Sequence, residues 1–192
     1  MKRNLGPVSA LYPTTVTLIG TEVNGKINYI NIAHVGIIDF NTLSLSMVKT
    51  RYSIRGIKEN MTLSINIPSE DMVVKTDFIG IVSGADYDKS DVFESFYGEL
   101  KGAPMIKDAP ICMECKVVNI IDMPKHDVFF AQPVNTYCNE EILIDDKIDF
   151  SKVKPILFDR PQGKYWQLGR AFADCWSIGK EYKNSLSHHP RL

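Results

Sequence analysis

The sequence predicts a mainly β fold, an antiparallel barrel carrying a few short helices, and three observations lead to it. The first two-thirds of the chain breaks into short segments that are rich in β-branched residues or alternate apolar with polar. Turn signals separate them at close intervals, the strongest being Asn24-Gly25, where both positions tolerate positive φ. Helical patterns are few and short, so a closed sheet has to bury the apolar surface. With 192 residues, 44% hydrophobic and 23% charged, the chain suits one well-filled core and is short for two. No repeat, low-complexity segment or linker divides it. We therefore expect a single domain over 1–192, with a core at about 8–178 and a polar tail over 179–192.

The elements follow in order. Val16 to Val23 is β-branched and ends at Asn24-Gly25, and Lys26 to Ile32 is its returning strand. Leu43-Ser44-Leu45-Ser46-Met47-Val48 alternates with period two, the mark of a half-buried strand. Ser53 to Asn60 predicts a short helix with Ser53 as its N-cap. Met61 to Ile67 returns to strict alternation and stops at Pro68. Asp71 to Gly80 predicts a second helix, and Asp88 to Phe96 a loop with a helical turn. Glu114 to Ile121, Val128 to Tyr137 and Tyr165 to Arg170 are three further strands, and the polar tail after Gly179 is expected to fray.

Several function classes are excluded. Lys plus Arg number 22 against 23 for Asp plus Glu, too even for a nucleic-acid binder that must neutralise phosphates. No uncharged apolar run approaches the ~18–20 residues that cross a bilayer. The start, Met1 to Pro7, leads into an apolar stretch too weak for a signal peptide, so a cytoplasmic location without membrane contact is expected. Neither a Gly-x-Gly-x-x-Gly nor a Walker-type loop occurs, and there is no Gly-x-Ser-x-Gly elbow. Cys112 and Cys115 lie three apart on a predicted strand, facing opposite ways, without the second pair or histidines a zinc site needs. They are expected to act as small buried hydrophobes. Of the four histidines, His34, His126, His188 and His189, the last pair falls in the tail and is expected to be solvated.

One stretch meets the needs of a phosphate. In Ser46 to Ser53 a strand ends, Lys49 and Arg51 supply cations, Thr50, Tyr52 and Ser53 supply hydroxyls, and a helix begins. A capped helix beside a solvated basic turn has the same pattern.

Further segments fall into one order along the chain: Lys26-Ile27-Asn28 with Tyr29 to Gly36; Lys49-Thr50-Arg51-Tyr52-Ser53; Asn60 to Ser69; and Asp77 to Gly84 followed by Asp88-Lys89. Ala103 to Ile106, Glu114 to Val117, His126 to Phe130, Pro155 to Asp159 and Lys164 to Gly169 continue it. In this order and spacing, from about Val16 to Gly179, they resemble the flavin reductase-like FMN-binding family, its flavoredoxin branch in particular. The resemblance implies a Greek-key split barrel that dimerises and holds FMN near the subunit interface.

It also implies the site. Asn31, Ala33 and His34 correspond to the flavin contact loop, and Ser46 and Met47 to the strand end that leads into the phosphate motif. Lys49, Arg51 and Ser53 match the phosphate motif, and Lys89 the Asp-Lys run. Tyr165 and Trp166 lie where relatives present side chains to the nicotinamide; adjacent strand residues face opposite ways, so one of them is expected to matter. No acid–base residue and no metal is required, because hydride passes directly between the cofactors. Three departures stand out: Asn31 where many relatives have Thr, His34 where a Trp is frequent, and Phe78 where relatives have Cys. The implied activity is reduction of FMN at N5 by NADH or NADPH. The alternative is a flavoredoxin-like carrier passing electrons through FMN to a partner protein.

Overall fold

The structure, a computed structural model, describes residues 1–186. Strands β1 (Thr14–Thr15), β2 (Thr17–Val23), β3 (Lys26–Ile32), β4 (Val35–Asp39) and β5 (Thr42–Val48) come first. Helix α1 (Ser53–Asn60), strand β6 (Thr62–Ile67), a 3-10 turn and helix α2 (Val73–Ile81) follow. Then come β7 (Ser95–Phe96), β8 (Met105–Ile106) and the long pair β9 (Ile111–Asp122) and β10 (His126–Cys138). The chain closes with β11 (Leu143–Ile144), β12 (Lys147–Ile148), α3 (Phe150–Val153), β13 (Leu157–Asp159), β14 (Lys164–Trp166) and α4 (Gly179–Leu186).

The main sheet has seven strands in the order β3-β2-β6-β9-β10-β5-β4, all antiparallel. Its two edge strands, β3 and β4, are neighbours in the chain, separated only by Ala33 and His34. The sheet must therefore curl until its edges meet; beside the junction the Ser46 N–H donates to the His34 carbonyl at 3.0 Å, carrying the β4–β5 ladder one residue further towards β3. The result is a barrel split between β3 and β4. At the opposite end of β3, Val23 pairs with Lys26 around Asn24 and Gly25, whose φ values of 52° and 73° make the tight hairpin turn.

Alternation divides the core. Ile19, Leu45, Met47, Leu63, Ile65, Cys115 and Phe129 fill the barrel, and Ile54 and Ile57 of α1 pack into it. Leu18, Tyr29 and Cys112 face outward and are covered by Ile79 of α2 together with Phe93, Met105 and Ile106. Cys112 and Cys115 thus enter different clusters, as period two requires, while Cys175 is exposed. Pro133 in β10 lies beyond the last pair with β5, Ala131–Leu43, and beside a register shift, so its missing N–H interrupts no ladder on that side. Glu114, fully buried, fastens the 97–100 loop to the sheet. Its carboxylate accepts from the Leu100 and Glu99 N–H groups (2.7 and 3.1 Å), Asn135 Nδ2 (2.7 Å) and Tyr137 Oη (3.0 Å).

Four expectations need correction. Ser53 is the first residue of α1, not its cap; Tyr52 takes the cap position already in right-handed helical backbone, φ −55° and ψ −40°. The strand expected over Tyr165 to Arg170 is short, Lys164–Trp166, and pairs with β13 in a separate three-stranded sheet with β1. The second helix opens as a 3-10 turn over Glu70–Met72. The tail begins as a helix, α4, rather than frayed chain, and His188 and His189 lie outside the described residues. Edge strand β4 carries no turn signal at its start and was not expected from the pattern. Among the described residues no helix is long and apolar enough to cross a membrane.

Candidate functional site

A cavity of about 430 Å³ opens where the barrel is split. Asn31, Ile32, Ala33 and His34 line it from the end of β3, and Ser46, Met47 and Val48 from the facing strand β5. Arg51 enters from the turn before α1, and His126 from the start of β10, where it pairs directly with Val48. Val16, Phe158, Arg160 and Tyr165, carried on or beside the small sheet of β1, β13 and β14, form the outer wall. The lining includes two arginines and two histidines and no carboxylate.

Hydrogen bonds fix several of these groups. Asn31 Nδ2 donates to the Thr76 carbonyl on α2 at 3.0 Å. Gly80, one turn further along α2, lies so close to the Asn31 carboxamide that a Cβ there would collide with it. His34 Nε2 lies 3.0 Å from Tyr12 Oη, whose ring packs edge-on against Phe158. Burial, then the charges of Arg160 and His126, hold the His34 pKa below its ordinary value. Tyr165 Oη donates to Asp77 at 2.8 Å, and burial together with this carboxylate pushes the phenol up to about 12. Trp166, about half exposed, faces away and donates from Nε1 to Asp159 at 3.3 Å.

A second cavity, about 370 Å³, adjoins the start of α1 on its other side and is lined by Asn28, Tyr52, Gly84 and Lys89 among others. Lys89 is buried, and its ammonium donates to the Ile79 and Tyr29 carbonyls at 2.7 and 3.2 Å. Burial and the nearby Arg51 charge lower its pKa to about 8. Arg51, in the lining of the first cavity, is thus near enough to Lys89 for its charge to act there. The first α1 amides with acceptors are Ile54 (to Arg51 O, 3.1 Å) and Arg55 (to Tyr52 O, 3.2 Å). Those of Tyr52 and Ser53 find no backbone acceptor among the described residues, the usual condition of a helix start.

Of the residues expected at the site, Asn31, Ala33, His34, Ser46, Met47, Arg51 and Tyr165 converge on the first cavity. Lys89 lines the second. Ser53 lines neither: it is buried beneath them, its hydroxyl accepting from Asn28 Nδ2 at 2.7 Å. Lys49 is drawn away into ion pairs with Asp122 and, at 4.0 Å, with Asp127. His126, Arg160, Phe158 and Asn28 were not expected. Asn28 did leave a signal, a polar residue interrupting the apolar face of β3; the others reach the cavity only through tertiary placement. Among the described residues no cluster of His, Cys, Asp or Glu is arranged to hold a metal ion.

Comparison with known proteins places this architecture. The family model "Flavin reductase like domain" matches residues 9–160. The structure of flavoredoxin from Methanosarcina acetivorans is 38% identical, covers 95% of this chain and 99% of its own, and superposes with a TM-score of 0.92. Flavoredoxin of Desulfovibrio vulgaris (Miyazaki F) is 31% identical over 93% and 100% of the two chains, with a TM-score of 0.86. A flavin reductase in its native state is 25% identical over 83% and 92%, with a TM-score of 0.63. An uncharacterized protein of Aeropyrum pernix is 24% identical over 132 residues, 66% of this chain, and the chain spans about half of its length. The fold, the extent of the matched region and the identity to two flavoredoxins agree: the chain belongs to the flavin reductase-like domain family.

Proposed function

We propose that the protein binds FMN and is a flavin oxidoreductase reduced by NADH or NADPH. The observation that carries this is the cavity at the barrel split, with polar Asn31 and Ser46, apolar Met47 and Val48, an aromatic outer wall and Arg51 at one end. Such a lining suits a flat, largely apolar ring with a polar edge, joined to an anionic tail. The absence of carboxylates from the lining suits an anion. Arg51 and the free amides at the start of α1 are the proposed phosphate contacts, with Ser53 and buried Lys89 behind them. When bound, FMN supplies a ring that accepts and releases electrons. The chain's part is to orient that ring between β5 and the outer wall, to exclude water, and to leave the Tyr165 side open to a donor.

A carrier role is the second reading, favoured because two relatives more than 30% identical are flavoredoxins. In either role we propose a homodimer. Ile37, Ile38 and Phe40 near the β4–β5 turn, and Val118 and Ile121 on β9, are exposed apolar side chains that a second copy can cover.

Anaerobic mixing of the FMN-loaded protein with NADH and with NADPH decides between the roles. Rapid bleaching of the flavin absorbance by either nucleotide is the result expected of the reductase. An FMN-loaded protein that dithionite bleaches but neither nucleotide does is a carrier.

A further inference from the structure

We infer that Arg160 anchors a second anion at the main cavity, the diphosphate of a dinucleotide electron donor. The inference rests on the FMN reading above. Two arginines from separate elements line the cavity, Arg51 from the turn before α1 and Arg160 from the hairpin of β13 and β14. The Arg51 charge acts on the buried Lys89 ammonium and the Arg160 charge on His34, a lining residue. FMN carries a single phosphate, which one guanidinium can hold.

The Arg160 charge is uncompensated. It makes no ion pair among the described residues. The neighbouring carboxylate, Asp159, is turned to other work: Oδ1 accepts from the Gln162 N–H and Oδ2 from Trp166 Nε1, both at 3.3 Å. The backbone at Arg160 is held by the turn joining β13 to β14, where the Gly163 N–H donates to the Arg160 carbonyl at 3.2 Å. Phe158 and Tyr165, on the two arms of that hairpin, line the same cavity and give a flat donor ring an aromatic surface beside the cation. A guanidinium presents paired donors that match two phosphate oxygens, which suits a diphosphate lying across the rim.

The test uses ADP-ribose, which carries the diphosphate without the nicotinamide, titrated calorimetrically into the FMN-loaded protein, with adenosine as the phosphate-free control. ADP-ribose is expected to bind the wild type and to bind Arg160→Ala roughly tenfold or more weakly, the loss of one charge-assisted contact. Arg160→Lys recovers part of that loss, and adenosine does not distinguish the three proteins. FMN affinity is measured first on each protein, and ADP-ribose is titrated at saturating FMN. An ADP-ribose affinity unchanged in Arg160→Ala, or none in the FMN-loaded wild type, overturns the inference and leaves the flavin reading intact. A parallel loss of FMN assigns Arg160 to the flavin phosphate instead. A wild type that takes up no FMN removes both, and the first titration reveals it.

Discussion

Replacing Arg51 by alanine separates phosphate recognition from every other contribution to flavin binding. Arg51 lines the cavity at the start of α1 and has no ion pair among the described residues, so no carboxylate is stranded by its removal. A hydrogen bond to a charged partner contributes about 1.5–3 kcal/mol. FMN affinity is therefore expected to fall roughly ten- to a hundredfold. It should not collapse altogether, because the Tyr52 and Ser53 amides and the Lys89 ammonium remain. Riboflavin has no phosphate, and its affinity should change by less than about twofold. Quenching of flavin fluorescence on titration reads both ligands in both proteins. Arg51 is exposed, so the difference should shrink as salt is raised. Equal losses for the two flavins, or no loss for FMN, would show that Arg51 is a solvated residue beside a helix.

Three further outcomes are expected. Tyr165→Phe frees Asp77 and loosens the outer wall, and should slow reduction by the nicotinamide nucleotide in stopped flow, whereas Trp166→Phe, outside the cavity, should not. Gly80→Ala drives a methyl group into the Asn31 carboxamide, breaks its bond to Thr76, and should weaken FMN and riboflavin equally in the same titrations. Glu114→Gln exchanges an acceptor for a donor among four donors and should lower stability by at least about 2 kcal/mol in urea unfolding at pH 7. Burial raises the Glu114 pKa, but the four donors outweigh it and the net shift is downward. Its contribution is thus complete above the ordinary carboxylate range and lost as pH falls below it, so wild type and Glu114→Gln should converge in stability in acid.

The strands were legible because their signals are local. Alternation in Leu43 to Val48 and the Asn24-Gly25 turn depend on neighbours in sequence, and the structure has both. Part of the cavity lining could be read for the same reason: Asn31 to His34 and Ser46 to Val48 are continuous stretches that the barrel split brings to one cavity. Ser53 was misjudged because a hydroxyl at a helix start looks like a cap, whereas the backbone already turns helical at Tyr52 and carries Ser53 inward to Asn28. The ion pairs of Lys49 had no local sign, because its carboxylate partners, Asp122 and Asp127, belong to β9 and β10, far along the chain. Arg160 and His126 gave no local sign, since each reaches the cavity through strand pairing that only the assembled sheets define.

Equilibrium titration of the flavin-free protein with FMN shows whether the cavity at the barrel split holds the flavin. Saturable quenching of flavin fluorescence at one FMN per chain is expected, with binding lost on filling the cavity by Ser46→Trp in a variant that still folds. Wild-type protein that is folded by circular dichroism yet leaves FMN fluorescence unchanged, or an undiminished affinity in Ser46→Trp, would contradict it.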